Sequence, residues 1–516
     1  MSSIPAALAR AAERFGAREA VVDGDLRLSY TDLQDQAVAV ARAFVGSGLQ
    51  AGDRVALWAP NSAAWIVASF GVYAAGGVLV PLNTRYRGEE AGHILRTSQA
   101  RFLITVTDFL DDSYVELLGA VPGLEGLEEI VVASGPVPPQ ATSWARFLER
   151  ARDVPVPVVA ARTAAIGGED LSDIIFTSGT TGAPKGAMLA HGASLRTYEA
   201  WSELVDLREG DRYVVVYPFF HTAGLKSGVL ACVLRGATIY PYAVFDVPRV
   251  LQLVARERIT MLPGPPTVFQ AILDHPDRAS FDLSSVRSAV TGAAVVPVEV
   301  IRRMRDDLHI RTVVTGYGMT ETTGTISMCR FDDPAEVIAR TVGRPLPGVE
   351  VRVVDDEGAD VAPGEAGELL VRGFNVMQGY FHDDAATAEA FVDGWLRTGD
   401  IGFVDGDTNL HITDRKKDMF IVGGFNVYPA EVEATLLGHP AVAQVAVIGV
   451  PDHRMGEIGV AVVVPRPGPT ADPAEILAWA HGRLARYKLA RVELAEALPL
   501  NPSGKVMKFK LRERHG

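Results

Sequence analysis

The segment that most restricts this chain is Thr177-Ser-Gly-Thr-Thr-Gly-Ala-Pro-Lys185-Gly. One apolar run, Asp173-Ile-Ile-Phe, leads into it and another, Ala187-Met-Leu-Ala, leaves it. A stretch this rich in glycine and hydroxyls cannot pack as core, so between two strands it forms a polar loop. Gly179 and Gly182 let a ligand approach the backbone. The hydroxyls of Thr177, Ser178, Thr180 and Thr181 add donors, and Lys185 adds charge, a combination suited to polyphosphate. It is not a Walker A loop, because Pro184 and Gly186 stand where that pattern needs Gly and Ser or Thr. The plainer reading of the same residues is a flexible hairpin tip.

Around this loop the chain alternates strand and helix patterns. Residues 18–35 predict a strand pair followed by a capped helix, and 53–59 a buried strand. Residues 63–73 predict a helix before a strand at 78–81. Such alternation predicts parallel sheets with crossover helices. The apolar run 64–81 contains Gly71, Gly76 and Gly77 and ends in Pro81, so it predicts a buried helix and strand, not a membrane span. The Pro-rich stretches 134–142 and 153–158 predict surface loops. Val298, Ile301, Met304 and Leu308 predict a helix, and 311–316 a strand. Short β segments and turn signals over 349–412 predict a small antiparallel unit. Beyond Asp414 the pattern becomes α+β, with a helix opening at Asp472-Pro-Ala-Glu475.

A length of 516 residues is room for several folding units. The net charge of −14 argues against nucleic acid as the partner. The two cysteines, Cys232 and Cys329, suit a reducing compartment, and the first residues lack a secretory pattern, so the expected location is cytoplasmic.

The loop does not stand alone. After it come Phe219-Phe-His221, Gly292-Ala-Ala and Gly316-Tyr-Gly-Met-Thr-Glu321. Gly367-Glu-Leu-Leu-Val-Arg-Gly and Trp395-Leu-Arg-Thr-Gly-Asp400 follow. Asp414-Arg-Lys-Lys-Asp, Gly423-Gly-Phe-Asn-Val-Tyr-Pro-Ala-Glu-Val-Glu and Pro502-Ser-Gly-Lys505 close the series. This ordered set, covering nearly the whole chain, resembles the adenylate-forming enzymes: acyl-CoA synthetases, firefly luciferases and peptide-synthetase adenylation domains.

The resemblance implies an α/β fold. A large N-terminal domain, 1–414, would hold parallel sheets with crossover helices plus the small β unit. A mobile α+β domain, 415–516, would turn on a hinge near Lys417. ATP, Mg²⁺ and coenzyme A are the implied cofactors, and a small-molecule carboxylic acid the implied partner. Neither nucleic acid nor a membrane span enters, and either a monomer or a homodimer would serve.

By resemblance, Thr177, Ser178, Gly179, Thr180, Thr181, Gly182 and Lys185 bind the phosphates. Gly292, Ala293, Ala294, Gly316, Tyr317 and Gly318 border the adenylate, with adenine on the Tyr317 ring and Thr320 at the α-phosphate. Glu321 and Thr177 match the Mg²⁺ ligands, and Asp400 and Arg415 the ribose contacts. His221 matches the position beside the acyl carboxylate, and 222–228 with 291–294 would line the acyl pocket. Lys505 matches the adenylation lysine, a cation between two anions where the transition state concentrates charge. Gly423 and Gly424 would face the site in the second step, leaving a passage for pantetheine.

Without the resemblance each residue has a plainer reading. Tyr317 and His221 would be structural, Glu321 solvated, Asp400 a turn residue, and Lys505 one of a basic tail.

The implied reaction joins acid and ATP, releases pyrophosphate, and passes the acyl group to CoA with release of AMP. Two alternatives remain: a stand-alone enzyme that loads a carrier protein, and a non-catalytic acyl-adenylate binder. A luciferase is disfavoured because Ile421 stands where those proteins carry a second-step lysine. Residues 218–266 and 290–294 look most like actinobacterial fatty-acyl-CoA synthetases, in particular those activating the propionate of a steroid C/D-ring remnant. Thr222 and Leu225 depart from that local pattern, and a medium or long fatty acid is the other candidate acid.

Overall fold

Local chemistry starts the elements. The Ser29 hydroxyl accepts the Asp32 N–H, and the Asp32 carboxylate accepts the Ser29 N–H in return, which opens the helix Tyr30–Gly46. Ser62 caps Ala63–Ala74 more simply, its hydroxyl accepting the Trp65 N–H. That second helix is apolar on every face and buried along nearly its whole length, the state such a sequence requires.

These elements come from a computed structural model. It describes residues 2–515 apart from 111, 120, 178–183, 293–295, 416–417, 423–424, 453–454, 469–470, 482, 485 and 501–505. At 414, 415, 421, 425 and 426 it describes the backbone alone.

Two large sheets carry the N-terminal part. One runs Thr142–Ser143, Glu129–Ser134, Phe102–Val106, Arg54–Trp58, Val78–Pro81, Leu171–Thr177, Lys185–Ala190 in spatial order. Its pairings are parallel except the last, an antiparallel pair between the strands that flank the predicted phosphate loop. The other sheet has nine strands. Thr312–Tyr317, Ser288–Gly292, Met261–Pro263, Arg212–Val215, Thr238–Pro241 and Glu19–Asp23 pair in parallel, with antiparallel partners at both edges. One continuous apolar core, running from Ile4 to Leu410, joins both sheets.

A smaller antiparallel sheet follows: Val349–Val354, Gly367–Gly373, Trp395–Val404 and Leu410–Arg415, with Phe391–Val392 at its edge. From Phe420 onward a separate set of residues builds its own core around Val442–Asp452 and Gly456–Pro465.

The predicted strands and helices are found. The expectation that fails is the loop at 153–158. Residues from Val156 belong to a helix, Val156–Ala165, entered through Pro155 with Pro157 in its first turn. The amide proton that proline lacks has no helical partner there, so a Pro-rich stretch can open a helix as well as avoid one. Part of the 134–142 loop also ends in a short edge strand, Thr142–Ser143.

Candidate functional site

Of the predicted site residues, Thr177, Gly292, Gly316 and Tyr317 lie at the carboxyl ends of parallel strands, where open α/β sheets present their crevices. Thr177 ends Leu171–Thr177 and pairs in register with Lys185, the first residue of the returning strand. Thr177 Oγ1 donates to the Lys185 carbonyl at 3.4 Å. The hairpin reading and the ligand-loop reading therefore share one backbone.

A segment after the small sheet's second strand lies along the free edge of Lys185–Ala190. The Met188 N–H donates to Gly379 O at 2.9 Å, Gln378 N–H to Met188 O at 2.9 Å, and Phe381 N–H to Gly186 O at 2.8 Å. This places the Tyr380 ring 5.4 Å from Lys185 Nζ. The Tyr380 hydroxyl donates to Glu321 Oε1 at 2.9 Å. Glu321 is buried in the turn Thr320–Thr322, whose neighbour Met377 donates its N–H to the Glu321 carbonyl at 2.8 Å. Burial, and then the Glu321 carboxylate, push the Tyr380 phenol far above its ordinary range, so it remains a donor. One aromatic ring thus ties the phosphate-loop lysine to the carboxylate.

The strand Thr312–Tyr317 sets the other half. Gly316 pairs with Gly292 in register, and Tyr317 follows. The half-buried Tyr317 donates its hydroxyl to Asp400 Oδ2 at 2.5 Å. Asp400 is buried within Trp395–Val404 and stands opposite Arg415 in the register. The turn reading of Asp400 is wrong: it lies inside the strand Trp395–Val404, with the Thr398 hydroxyl accepting its N–H at 3.1 Å.

The turn at 318–324 then meets the expected acid wall. Gly324 has φ +94°, and a Cβ there would fall 2.5 Å from Tyr198 Oη and 2.8 Å from Thr222 Oγ1. Glycine permits both the backbone and the approach. His221 lies just before this wall, in a turn in which its N–H donates to Pro218 O. Its carbonyl accepts from Gly224 and Leu225 at 3.0 and 2.9 Å, opening the helix Ala223–Leu230. That helix is wound wide: the Ala231 N–H reaches back five residues to Lys226 O.

Asn61 holds the His221 turn from the other sheet. Its Nδ2 lies 2.9 Å from Tyr217 O and 3.2 Å from both Val215 O and Tyr242 O. Its Oδ1 accepts the Phe219 N–H at 2.8 Å. Sequence reasoning missed Asn61 and Tyr380. Their nearest signals were Pro60-Asn after a strand and Gly379-Tyr after an extended run, neither distinctive by itself.

Several predicted residues lie outside the described residues: Ser178, Gly179, Thr180, Thr181, Gly182, Ala293, Ala294, Lys417, Gly423, Gly424 and Lys505. The side chain of Arg415 does as well. Among the described residues no cluster of three or more His, Cys, Asp or Glu could hold a metal by itself. A single buried carboxylate, Glu321, joined through Tyr380 to Lys185, still suits Mg²⁺, which keeps few protein ligands and takes the rest from phosphate and water. Among the described residues no helix is long and apolar enough to cross a membrane.

The chain is similar to known proteins along most of its length. The family described as AMP-binding enzyme matches residues 8–381, and its C-terminal domain matches 431–505. A 7a-methyl-1,5-dioxo-octahydroindenyl-propanoyl:CoA ligase of Rhodococcus jostii is 46% identical, covering 99% of this chain and 98% of that protein. The Mycobacterium tuberculosis ligase of the same name is 45% identical over 99% of each. The crystal structure of the anthranilate CoA ligase AuaEII with anthranoyl-AMP superposes with a TM-score of 0.89 at 30% identity, covering 99% of this chain and 97% of that one. The chain belongs to the AMP-binding enzyme family and is an acid–thiol ligase within it, an acyl-CoA synthetase.

Proposed function

We propose that the acid is a propionate borne on a compact bicyclic ring system, the C/D-ring remnant of a steroid, and that the reaction runs in two half-reactions at one site. The observation that carries the acid is full-length similarity, at 46% and 45%, to two ligases named for such a propionate. The buried wall formed by Thr222, Gly224 and Leu225 supports an apolar acid. Thr291 Oγ1 is buried without a partner among the described residues and would meet the ligand there.

In the first half-reaction a carboxylate oxygen of the acid attacks the α-phosphorus of ATP, and pyrophosphate leaves. Two anions must approach, so cations decide the rate. Lys185 and the 178–183 loop would hold the phosphates, and Thr320 the α-phosphate. Lys505, carried by the C-terminal domain 415–516, would stand between the reacting anions. Thr177 and Glu321 would hold Mg²⁺, which when bound neutralises phosphate charge. The Tyr380 hydroxyl, bonded to Glu321 Oε1, would hold that carboxylate in one orientation. Tyr317 would stack on adenine, while Asp400 and Arg415 would hold the ribose; the Tyr317–Asp400 bond supports treating the two as one platform. His221 would border the carboxylate.

In the second half-reaction the CoA sulfur attacks the acyl carbonyl carbon and AMP leaves with the electron pair. AMP is a far better leaving group than oxide, so no protein nucleophile is needed. Cys232 and Cys329 are both buried, and burial raises their thiols, up to about 11 for Cys329. Rotation about Lys417 would exchange Lys505 for the Gly423–Gly424 loop, and the cytoplasm would supply CoA.

The test is a panel of acids with ATP, Mg²⁺ and CoA, followed by AMP release and mass spectrometry of the acyl-CoA. The octahydroindane propionate should give the highest kcat/KM. A higher value for a C8–C16 fatty acid or an aromatic acid would overturn the substrate, and transfer to a carrier protein without CoA turnover would overturn the acceptor.

A further inference from the structure

Behind the site lies an ion pair whose charges none of the roles above uses: Lys226 falls within the 222–228 stretch, but its buried ammonium is bonded to Asp173. Asp173 and Lys226 are side chains exposed by 0% and 1%, and they form a direct ion pair. Asp173 sits on Leu171–Thr177, four residues before Thr177. Lys226 sits on the wide helix Ala223–Leu230, five residues after His221. The pair therefore joins the strand that feeds the phosphate loop to the helix that continues from the acid wall.

The carboxylate is held from three elements. Oδ1 accepts the Tyr73 hydroxyl at 2.5 Å, from the helix Ala63–Ala74. Oδ2 accepts the Lys226 ammonium and the adjacent Ser172 hydroxyl. The ammonium also lies 5.5 Å from the centre of the Tyr73 ring. The other titratable group nearby, His191, is neutral: its Nδ1 accepts the Ile4 N–H at 3.3 Å, and its ring packs edge-on against Tyr73 at 5.7 Å.

A buried ion pair is a poor way to gain stability, since apolar residues of the same volume usually do as well or better. What it offers is a single geometry. Apolar surfaces can slide by a fraction of an ångström at little cost, whereas a carboxylate with three donors has one arrangement that satisfies all of them. The helix it anchors has the rare wide winding that recurs at functional sites, and a shift of one residue to an ordinary α-turn is the alternative packing the pair excludes. Such a shift would rotate Thr222 and His221 relative to Thr177.

We propose that Asp173 and Lys226 are a positioning pair that fixes the acid-binding helix against the phosphate-loop strand, and so sets the distance over which the carboxylate attacks the α-phosphate. This rests on the reading of 177–186 as the phosphate loop and 221–228 as the acid wall. Misplacement of reacting atoms by about 1 Å is enough to lower a rate ~100-fold without weakening binding.

The test uses the full-length double variant Asp173→Asn/Lys226→Met, which removes both charges and strands neither. Acid-dependent exchange of pyrophosphate into ATP should fall ~30–100-fold in kcat, while both KM values stay within about threefold. Thioester formation from supplied acyl-adenylate should stay within about threefold, because the anhydride bond already exists. The single variant Lys226→Met should melt lower than the double, since it leaves a buried carboxylate without its cation. Exchange at the wild-type kcat in a folded double variant would show that the pair only fills space and would overturn the proposal. An equal fall in both half-reactions would overturn it too, as general loosening. Absence of exchange in the wild-type chain with every acid would instead overturn the proposed reaction, and this inference with it.

Discussion

The proposed nucleotide side of the site and the seam behind it differ in how their polar groups are exposed and paired. On the nucleotide side Thr177, Lys185, Tyr317 and Tyr380 are all half-buried and meet in pairs. At the seam, Asn61, Asp173, Lys226, Tyr73 and His191 are shut away from solvent and bonded across elements that are distant in sequence. A group that meets a transient phosphate needs access. A group that fixes a distance needs saturation, because an unpaired buried polar atom costs about 1–3 kcal/mol. Substitution on the first side should therefore change rates and leave melting alone, whereas substitution of a single seam residue should change melting as well, and at the Asp173–Lys226 pair the adenylation rate too.

Lys505→Ala carries the strongest expectation. Adenylation should fall at least ~1,000-fold, while thioester formation from supplied acyl-adenylate continues, as measured in separate half-reaction assays. Loss of both half-reactions would refute that role for Lys505. Asn61→Ala should lower stability by about 3 kcal/mol in denaturant titration, because it strands the Phe219 N–H and the carbonyls around it. Unchanged stability would mean that water or backbone movement repairs the seam.

The next effect is pH-dependent. Burial lowers His191 from 6.5 to about 4, so the folded chain binds this proton less readily than the unfolded chain. Stability from this source is complete above pH about 6.5 and is lost as pH falls toward 4, by about 2 kcal/mol between pH 7.5 and 5. His191→Gln should flatten that part of the stability–pH curve; a slope identical to wild type would assign it to other groups. Tyr380→Phe should be the mildest. It keeps the ring beside Lys185 and removes the bond to Glu321. Adenylation should fall about tenfold, with a raised Mg²⁺ requirement and the same melting temperature. A drop in melting temperature without change in the Mg²⁺ titration would make Tyr380 a structural residue.

The same division explains what could be read from the chain beforehand. The hairpin at 171–190, the Ser29-capped helix and the antiparallel unit at 349–412 follow from local periodicity and capping, and the structure contains them. The candidate residues of the nucleotide side sit in short motifs, where the chemistry of one loop is visible at a glance. The seam was invisible because its partners are far apart: Asp173 and Lys226 are separated by 53 positions, and Asn61 and Phe219 by 158. The available signal was a charged residue inside an apolar strand, Asp173-Ile-Ile-Phe, since a carboxylate is buried there only if something pairs with it. Tyr380 escaped for a similar reason. Its role depends on a strand-like contact with Met188 that nothing in Gln378-Gly-Tyr announces.

The decisive measurement is isotope exchange between labelled pyrophosphate and ATP in the purified chain. Formation of a mixed anhydride before any thiol enters predicts exchange that needs both the acid and Mg²⁺, and that proceeds without CoA. Exchange that is absent with every acid tried, or that appears only when CoA is added, would contradict it.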